Sequence, residues 1–248
     1  MTSIVGVLCK DGVVIGTDSS TTLAAGQFVT IEQPTEKLDI IGESIIVAGT
    51  GAVGLGQRFC SIVRKNRVAH DFSKISALDI AKGFCKATLD DFHSTYVQMG
   101  QYGALVAFPS LDGPALCEFA VRDFQPELKN ERFWYCSMGS AQPITDPFLG
   151  FIRDVFWRDG RPNISDGIFA ITWTLDHAVS VNPGGVNGPV RIAVLTREQG
   201  GQFHARLLDE NDLLEHRQNI EEVKQSMRNI SMKYQVGSPI ENPDIPRP

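Results

Sequence analysis

Residues 2–22 read TSIVGVLCKDGVVIGTDSSTT. Two β-branched runs, residues 3–9 and 13–17, flank CKDG, whose Asp-Gly pair is a strong hairpin signal. A chain that starts with a hairpin, and not with a strand–helix–strand crossover, begins an antiparallel sheet. The hairpin also fixes two chemical groups: Thr2 stands just ahead of the first strand, and Asp18 ends the second.

Working outward, Phe28 to Ile31 and Lys37 to Ile41 read as strands, and GES turns the chain into the apolar run IIVAG. From Gly51 to about Val68 the pattern becomes helical, and Ala81, Phe84, Cys85, Thr88 and Phe92 mark one face of a second helix. YGALVAF, ALCEFAV and RFWYCSMG are strand-like. Phe148, Phe151, Ile152, Val155 and Phe156 share one face of a predicted third helix. Ile168, Ile171, Leu175 and Val179 share one face of a fourth, with Ser165 as its N-cap. VRIAVLT and QFHARLL close the strand set before a charged helix from about Glu210 to Tyr234. Strands and helices in blocks, joined by hairpin signals, predict an α+β fold of antiparallel sheets with helices layered on them. The predicted division is residues 1–208 as one domain, 209–236 as a charged helix, and 237–248 as a mobile Pro-rich tail. Ile220, Val223, Met227 and Ile230 form a narrow apolar seam on that helix, suited to docking on the same or a neighbouring subunit.

At 248 residues, with 42% apolar and 21% charged composition, the chain has an ordinary globular make-up. A chain of this size can bury roughly three quarters of its unfolded surface. The net charge of −6 argues against a nucleic-acid partner, because such binding neutralises phosphates with Lys and Arg. Five widely spaced cysteines without a CxxC pair read as buried thiols of a reducing compartment. The absence of a leader pattern or a long apolar run predicts a cytoplasmic protein with no membrane partner. His70, His93, His177, His204 and His216 have no metal-ligand spacing.

One fingerprint pulls another way. GTGAVG, residues 49–54, satisfies GxGxxG after an apolar run and before a helix, and Asp71 lies where a ribose-binding acid would. Such a turn closes the first strand of a parallel unit, however, and this one follows two hairpin-like pairs. Glycines that permit close packing are the simpler reading.

Thr2 carries the more consequential chemistry. A hydroxyl is a poor nucleophile without a base, and an N-terminal threonine has one on its own Cα: an amine of pKa roughly 7.7 to 8. Three stretches in order, TSIVGVLCKDGVVIGTDSSTT, EKLDIIGESIIVAGTGAVG and CSMGSAQP, resemble the β subunits of the proteasome family and their bacterial homologues. The likeness extends over roughly residues 2–195. It implies a four-layer αββα sandwich, the N-terminal nucleophile hydrolase fold, and a threonine endopeptidase.

Carried over residue by residue, the resemblance makes Thr2 the nucleophile, with Asp18, Lys37 and Ser140 as its catalytic partners. Gly49 becomes the oxyanion donor, and Thr22 and Val47 line the substrate groove, implying small or apolar side chains before the cut. Asp176 takes the family's helix-end aspartate; anchoring on the following glycine pair places Ser180 there instead. Ser140 also reads as the N-cap of the third helix. The implied reaction needs no metal or organic cofactor. Its partners would be peptides or unfolded proteins and identical subunits in a double ring, with any unfolding ATPase left unnamed by the sequence. Removal of Met1 is required. A chain that keeps it would be a silent ring-forming subunit, and a dinucleotide enzyme is the third alternative.

Overall fold

The opening hairpin is formed by β1 (Ile4–Leu8) and β2 (Gly12–Thr17), in register from Ile4↔Thr17 to Leu8↔Val13. The structure, a computed structural model, describes residues 2–25, 28–181, 185–198 and 200–235, with backbone alone at 22–25, 28–30 and 233–235. The predicted tail, 237–248, lies outside the described residues.

Beyond Asp18 the structure adds a strand that the sequence reading passes over. β3 (Ser20–Ala25) pairs with β4 (Phe28–Pro34), with a register shift between Leu23 and Ala24. Its polar start carries no strand signal of its own, so the pairing partner supplies it. Next come β5 (Leu38–Ile41), β6 (Ile45–Gly51), α1 (Val53–Ala69), α2 (Ala77–Ser94), β7 (Tyr102–Ser110), β8 (Gly113–Phe119), β9 (Pro126–Leu128) and β10 (Tyr135–Met138). The chain continues through α3 (Gln142–Phe156), α4 (Ile164–Val181), β11 (Arg191–Arg197), β12 (Phe203–Leu207) and α5 (Glu210–Gln235).

Two five-stranded sheets result, β10-β1-β2-β11-β12 and β5-β6-β7-β8-β9, with every pairing antiparallel. Side-chain alternation decides how they stack. In β6 and β7, Ile46, Ala48, Leu105 and Ala107 face the first sheet and join its core. Their neighbours Ile45, Val47, Ala104, Val106 and Phe108 face α1 and α2. α4 lays Ile168, Ile171 and Leu175 on β1 and β2, as the sequence predicts. The order is helices, sheet, sheet, helices: the four-layer αββα sandwich.

Several local expectations change. The buried stripe of α3 is Thr145, Leu149 and Ile152, whereas Phe151, Val155 and Phe156 are exposed. Asn163, not Ser165, caps α4: its Oδ1 accepts the Asp166 amide at 2.9 Å. The residue at the cap position of α3 is Ala141, with no side-chain capping bond, so Ser140 is free of that duty. On α5, Ile220 is buried and Val223 packs with α3 and α4, but Met227 and Ile230 are exposed. β6 lies between two antiparallel neighbours, so GTGAVG closes no parallel unit, and Asp71 instead caps a short 3-10 turn by accepting the Ser73 amide. Among the described residues no helix is long and apolar enough to cross a membrane.

Candidate active site

The site grows out of the first hairpin. One step beyond the pair Ile4↔Thr17, Asp18 N donates to Ser3 O at 3.1 Å, and Ser3 N donates to Asp18 Oδ1 at 2.8 Å. This reciprocal bridge buries Asp18 completely. Ser20 N donates to its other oxygen at 3.2 Å. Lys37 Nζ completes the set at 2.7 Å. A buried carboxylate needs such partners, and Asp18 has three.

Lys37 enters from the residue just before β5. Its side chain is only 6% exposed, and Nζ also reaches Thr2 Oγ1 at 3.4 Å. Burial pulls the Lys37 ammonium below its ordinary pKa, against the opposing pull of Asp18. Thr2 is held from the far side by the turn after β10. Its backbone nitrogen donates to Ser140 Oγ at 3.0 Å, and Ser140 Oγ donates to Thr2 O at 3.4 Å. Ala141 N donates to the same carbonyl at 3.3 Å. Gly139 makes this grip sterically possible: it has φ +95°, and a Cβ there would lie 2.3 Å from Thr2 O.

A cleft of about 580 Å³ opens beside these groups, with Thr2, Lys37, Gly49, Val47, Asp39 and Tyr102 on its walls. Here the glycine-rich turn acquires a physical reason. A Cβ on Gly49 would stand 2.5 Å from Tyr102 Oη, and one on Gly51, at φ +109°, would stand 2.2 Å from Gln101 O. The glycines seat the tyrosine and let the Gly49 backbone face the cleft.

Other contacts fasten the rim. Glu32 of β4 accepts hydrogen bonds from Ser20 Oγ and Asn187 Nδ2, and these hold its carboxyl below the usual range, the Ser20 bond most of all. Ser19 N donates to Asn187 O at 2.9 Å. The β3–β4 hairpin is thereby tied to the segment after α4.

Of the residues the sequence singles out, Thr2, Asp18, Lys37 and Ser140 are joined by hydrogen bonds, while Gly49 and Val47 line the adjacent cleft. Thr22 lies in β3, but its side chain is outside the described residues, as is Met1. Asp176 is elsewhere: its carboxylate pairs with Arg217 of α5 at 3.7 Å. Burial raises the pKa of Asp176 while Arg217 opposes the shift. Ser180 Oγ donates to His177 O at 2.7 Å, within its own helix. The register of α4 therefore turns both candidates for the helix-end partner away from hydrogen bonding to Thr2. Sequence reasoning left the placement of Asp39 open and gave no role at the site to Gly139, Cys60 or Tyr102. Asp39 had a signal, since it follows Lys37 by two residues and so shares its face of the strand. Tyr102 had none, because its place depends on pairing across the ladder with Gly51.

A second cleft, of about 570 Å³, lies along β8, β9 and β10. Lys129 is the buried cation there, with Nζ 2.7 Å from both Glu118 and Glu127. Among the described residues no group of three or more His, Cys, Asp or Glu is arranged to hold a metal ion.

A family model described as "Proteasome subunit" matches residues 1–148. Among solved structures, a Gly-1 mutant of Anbu from Hyphomicrobium sp. strain MC1 superposes with a TM-score of 0.70 at 14% identity, covering 99% of this chain and 100% of that one. At that identity the likeness concerns the fold. No curated protein matches the sequence.

Proposed function

We propose that this chain, which belongs to the proteasome subunit family, is a threonine-type endopeptidase that cleaves peptide bonds through an acyl ester on Thr2. The observation that supports it most is the placement of one ammonium, Lys37 Nζ, 3.4 Å from Thr2 Oγ1 while it pairs with Asp18 at 2.7 Å.

With Met1 removed, the Thr2 amine accepts the hydroxyl proton as Oγ1 attacks the substrate carbonyl. Lys37 disfavours protonation of that amine by like-charge repulsion, and Asp18 fixes where Lys37 stands. Ser140 Oγ, already at hydrogen-bond distance from the Thr2 nitrogen, orients it. The Gly49 amide stabilises the tetrahedral oxyanion, a contribution of several kcal/mol for a well-placed donor. The protonated amine then gives its proton to the departing amine of the substrate. A water, deprotonated by the same Thr2 amine, releases the acyl group. Substrates would be peptides or unfolded proteins, and the working particle a double ring of identical subunits with Thr2 facing an inner chamber. Asp176 has no role in this sequence of steps.

A covalent probe directed at N-terminal threonine, read by intact mass, tests the proposal. Wild-type protein should lose Met1 and take up one probe per chain, and Thr2→Ala should take up none. Labelling that survives the substitution overturns the nucleophile. Particles that retain Met1 in full, and cleave nothing, would instead be the silent ring-forming subunit.

A further inference from the structure

The wall of the Thr2 cleft carries charge and hydrogen-bonding groups that the hydrolytic steps leave unused. Asp39 lies opposite Val47 in the β5–β6 ladder. It stands two residues beyond Lys37, about 6.6 Å along an extended strand on the same face. Its Oδ2 accepts from Cys60 Sγ at 3.5 Å, a weak bond for a carboxylate. Burial and the nearby Asp39 push the Cys60 thiol up to about 12, which keeps it a protonated donor.

Behind them, Tyr102 is 5% exposed. Its ring packs among Phe59, Phe92 and Phe124, but its hydroxyl reaches the cleft beneath Gly49 and has no hydrogen-bond partner among the described residues. The hydroxyl is open to the cleft, so a ligand that covers it has to supply a hydrogen bond in place of water.

Two of the other charges at the cleft are paired. Lys37 is paired with Asp18 and Glu36 with Arg191. Arg64 sits one turn beyond Cys60 on α1, about 6 Å farther along the helix axis, and forms no ion pair with Asp39. Asp39 therefore has no ion-pair partner among the described residues.

We propose that Asp39 and Tyr102 make this cleft a recognition site for a cationic side chain, lysine or arginine, on the residue preceding the cut. The inference rests on the peptidase reading for the position of the cut. The recognition itself follows from the geometry: a long side chain extending from a carbonyl at Thr2 covers the two-residue step to Asp39. Its ammonium or guanidinium replaces the weak thiol contact with a charge-assisted bond. A lysine or arginine nitrogen also donates to the Tyr102 hydroxyl oxygen. An apolar side chain would dehydrate the carboxylate and leave the phenol unpaired, which is penalised. This reverses the expectation from Thr22 and Val47 that small or apolar residues are preferred.

Two measurements test it. Peptides with a fluorogenic leaving group and Arg, Lys, Leu, Ala or Glu before the cut should show kcat/KM at least tenfold higher for Arg and Lys than for Leu. Asp39→Asn should lower the Arg-to-Leu ratio at least tenfold, and Tyr102→Phe should lower it by a smaller factor. In parallel, the Thr2→Ala protein should bind a fluorescein-labelled Arg peptide at least fivefold more tightly than its Leu counterpart, and Asp39→Asn in that background should equalise them. Equal binding, or a preference for Leu, overturns the recognition site. If no peptide is cleaved but the binding preference stands, the peptidase reading fails and the cationic site survives.

Discussion

Two buried lysines show how the same side chain is put to opposite uses. Lys37 is 6% exposed and Lys129 5% exposed, and both hold a carboxylate oxygen at 2.7 Å. Lys37 pairs with Asp18, whose oxygens also receive two backbone amides, and its pKa falls because burial outweighs the pull of Asp18 and Glu32. Lys129 pairs with two carboxylates, Glu118 and Glu127. Burial pulls Lys129 down as well, but Cys136 and the two glutamates outweigh it and hold the ammonium above its ordinary value. The balance between burial and the neighbouring negative groups decides the sign. One lysine is left with affinity to spare for a neighbouring hydroxyl. The other is locked into the wall between β8 and β9.

Replacing each lysine by methionine should break this contrast apart. The largest effect is on catalysis: under the proposed chemistry, Lys37→Met should lower kcat/KM for a peptide substrate by roughly a hundred- to ten-thousandfold, with circular dichroism confirming the fold. Lys129→Met should leave kcat/KM within a few fold but reduce the unfolding free energy in urea by about 1 to 3 kcal/mol, since it strands the largely buried Glu118 carboxylate while the exposed Glu127 stays hydrated. Activity lost equally in both variants would show that the two sites are not separable.

The smallest effect is the most discriminating. The Lys37 pKa in the fold lies below the ordinary 10.5. In the window just under that value the unfolded chain binds the proton more tightly, and the contribution of Lys37 to stability rises with pH. The Lys129 pKa lies above 10.5. Its contribution is fully present below 10.5 and is lost as pH climbs through the higher folded value. Urea midpoints measured between about pH 9 and 12 should therefore show the alkaline loss flattened in Lys129→Met and retained in Lys37→Met.

Much of the fold was legible because its periodicities are local. The Asp-Gly hairpin, the apolar faces of α2 and α4, and the blocks of strands and helices are each set by side-chain repeats of two or of about 3.6. β3 was not legible, because its polar start becomes a strand only by pairing with β4. The stripe on α3 was only partly right: Phe148 and Ile152 do pack toward α4, but Phe151, Val155 and Phe156 are exposed, while Thr145 and Leu149 complete the buried side. In the site, Thr2, Asp18, Lys37 and Ser140 were found from a family pattern spread over more than a hundred residues. Asp176 was chosen by position in a helix, and no local signal distinguishes a side chain turned toward α5 from one turned toward Thr2.

The sequence alone determined the antiparallel course, the hairpin that delivers Asp18, and the presence of an amine, hydroxyl, ammonium and carboxylate that could work together. These follow from local propensity and residue chemistry. Tertiary structure decided which groups meet: Gly139 admits the Thr2 carbonyl, the Gly49 and Gly51 turn seats Tyr102, and α5 claims Asp176 through Arg217. Those outcomes depend on close approach between segments distant in sequence, where a single Cβ or the rotation of one helix settles the contact.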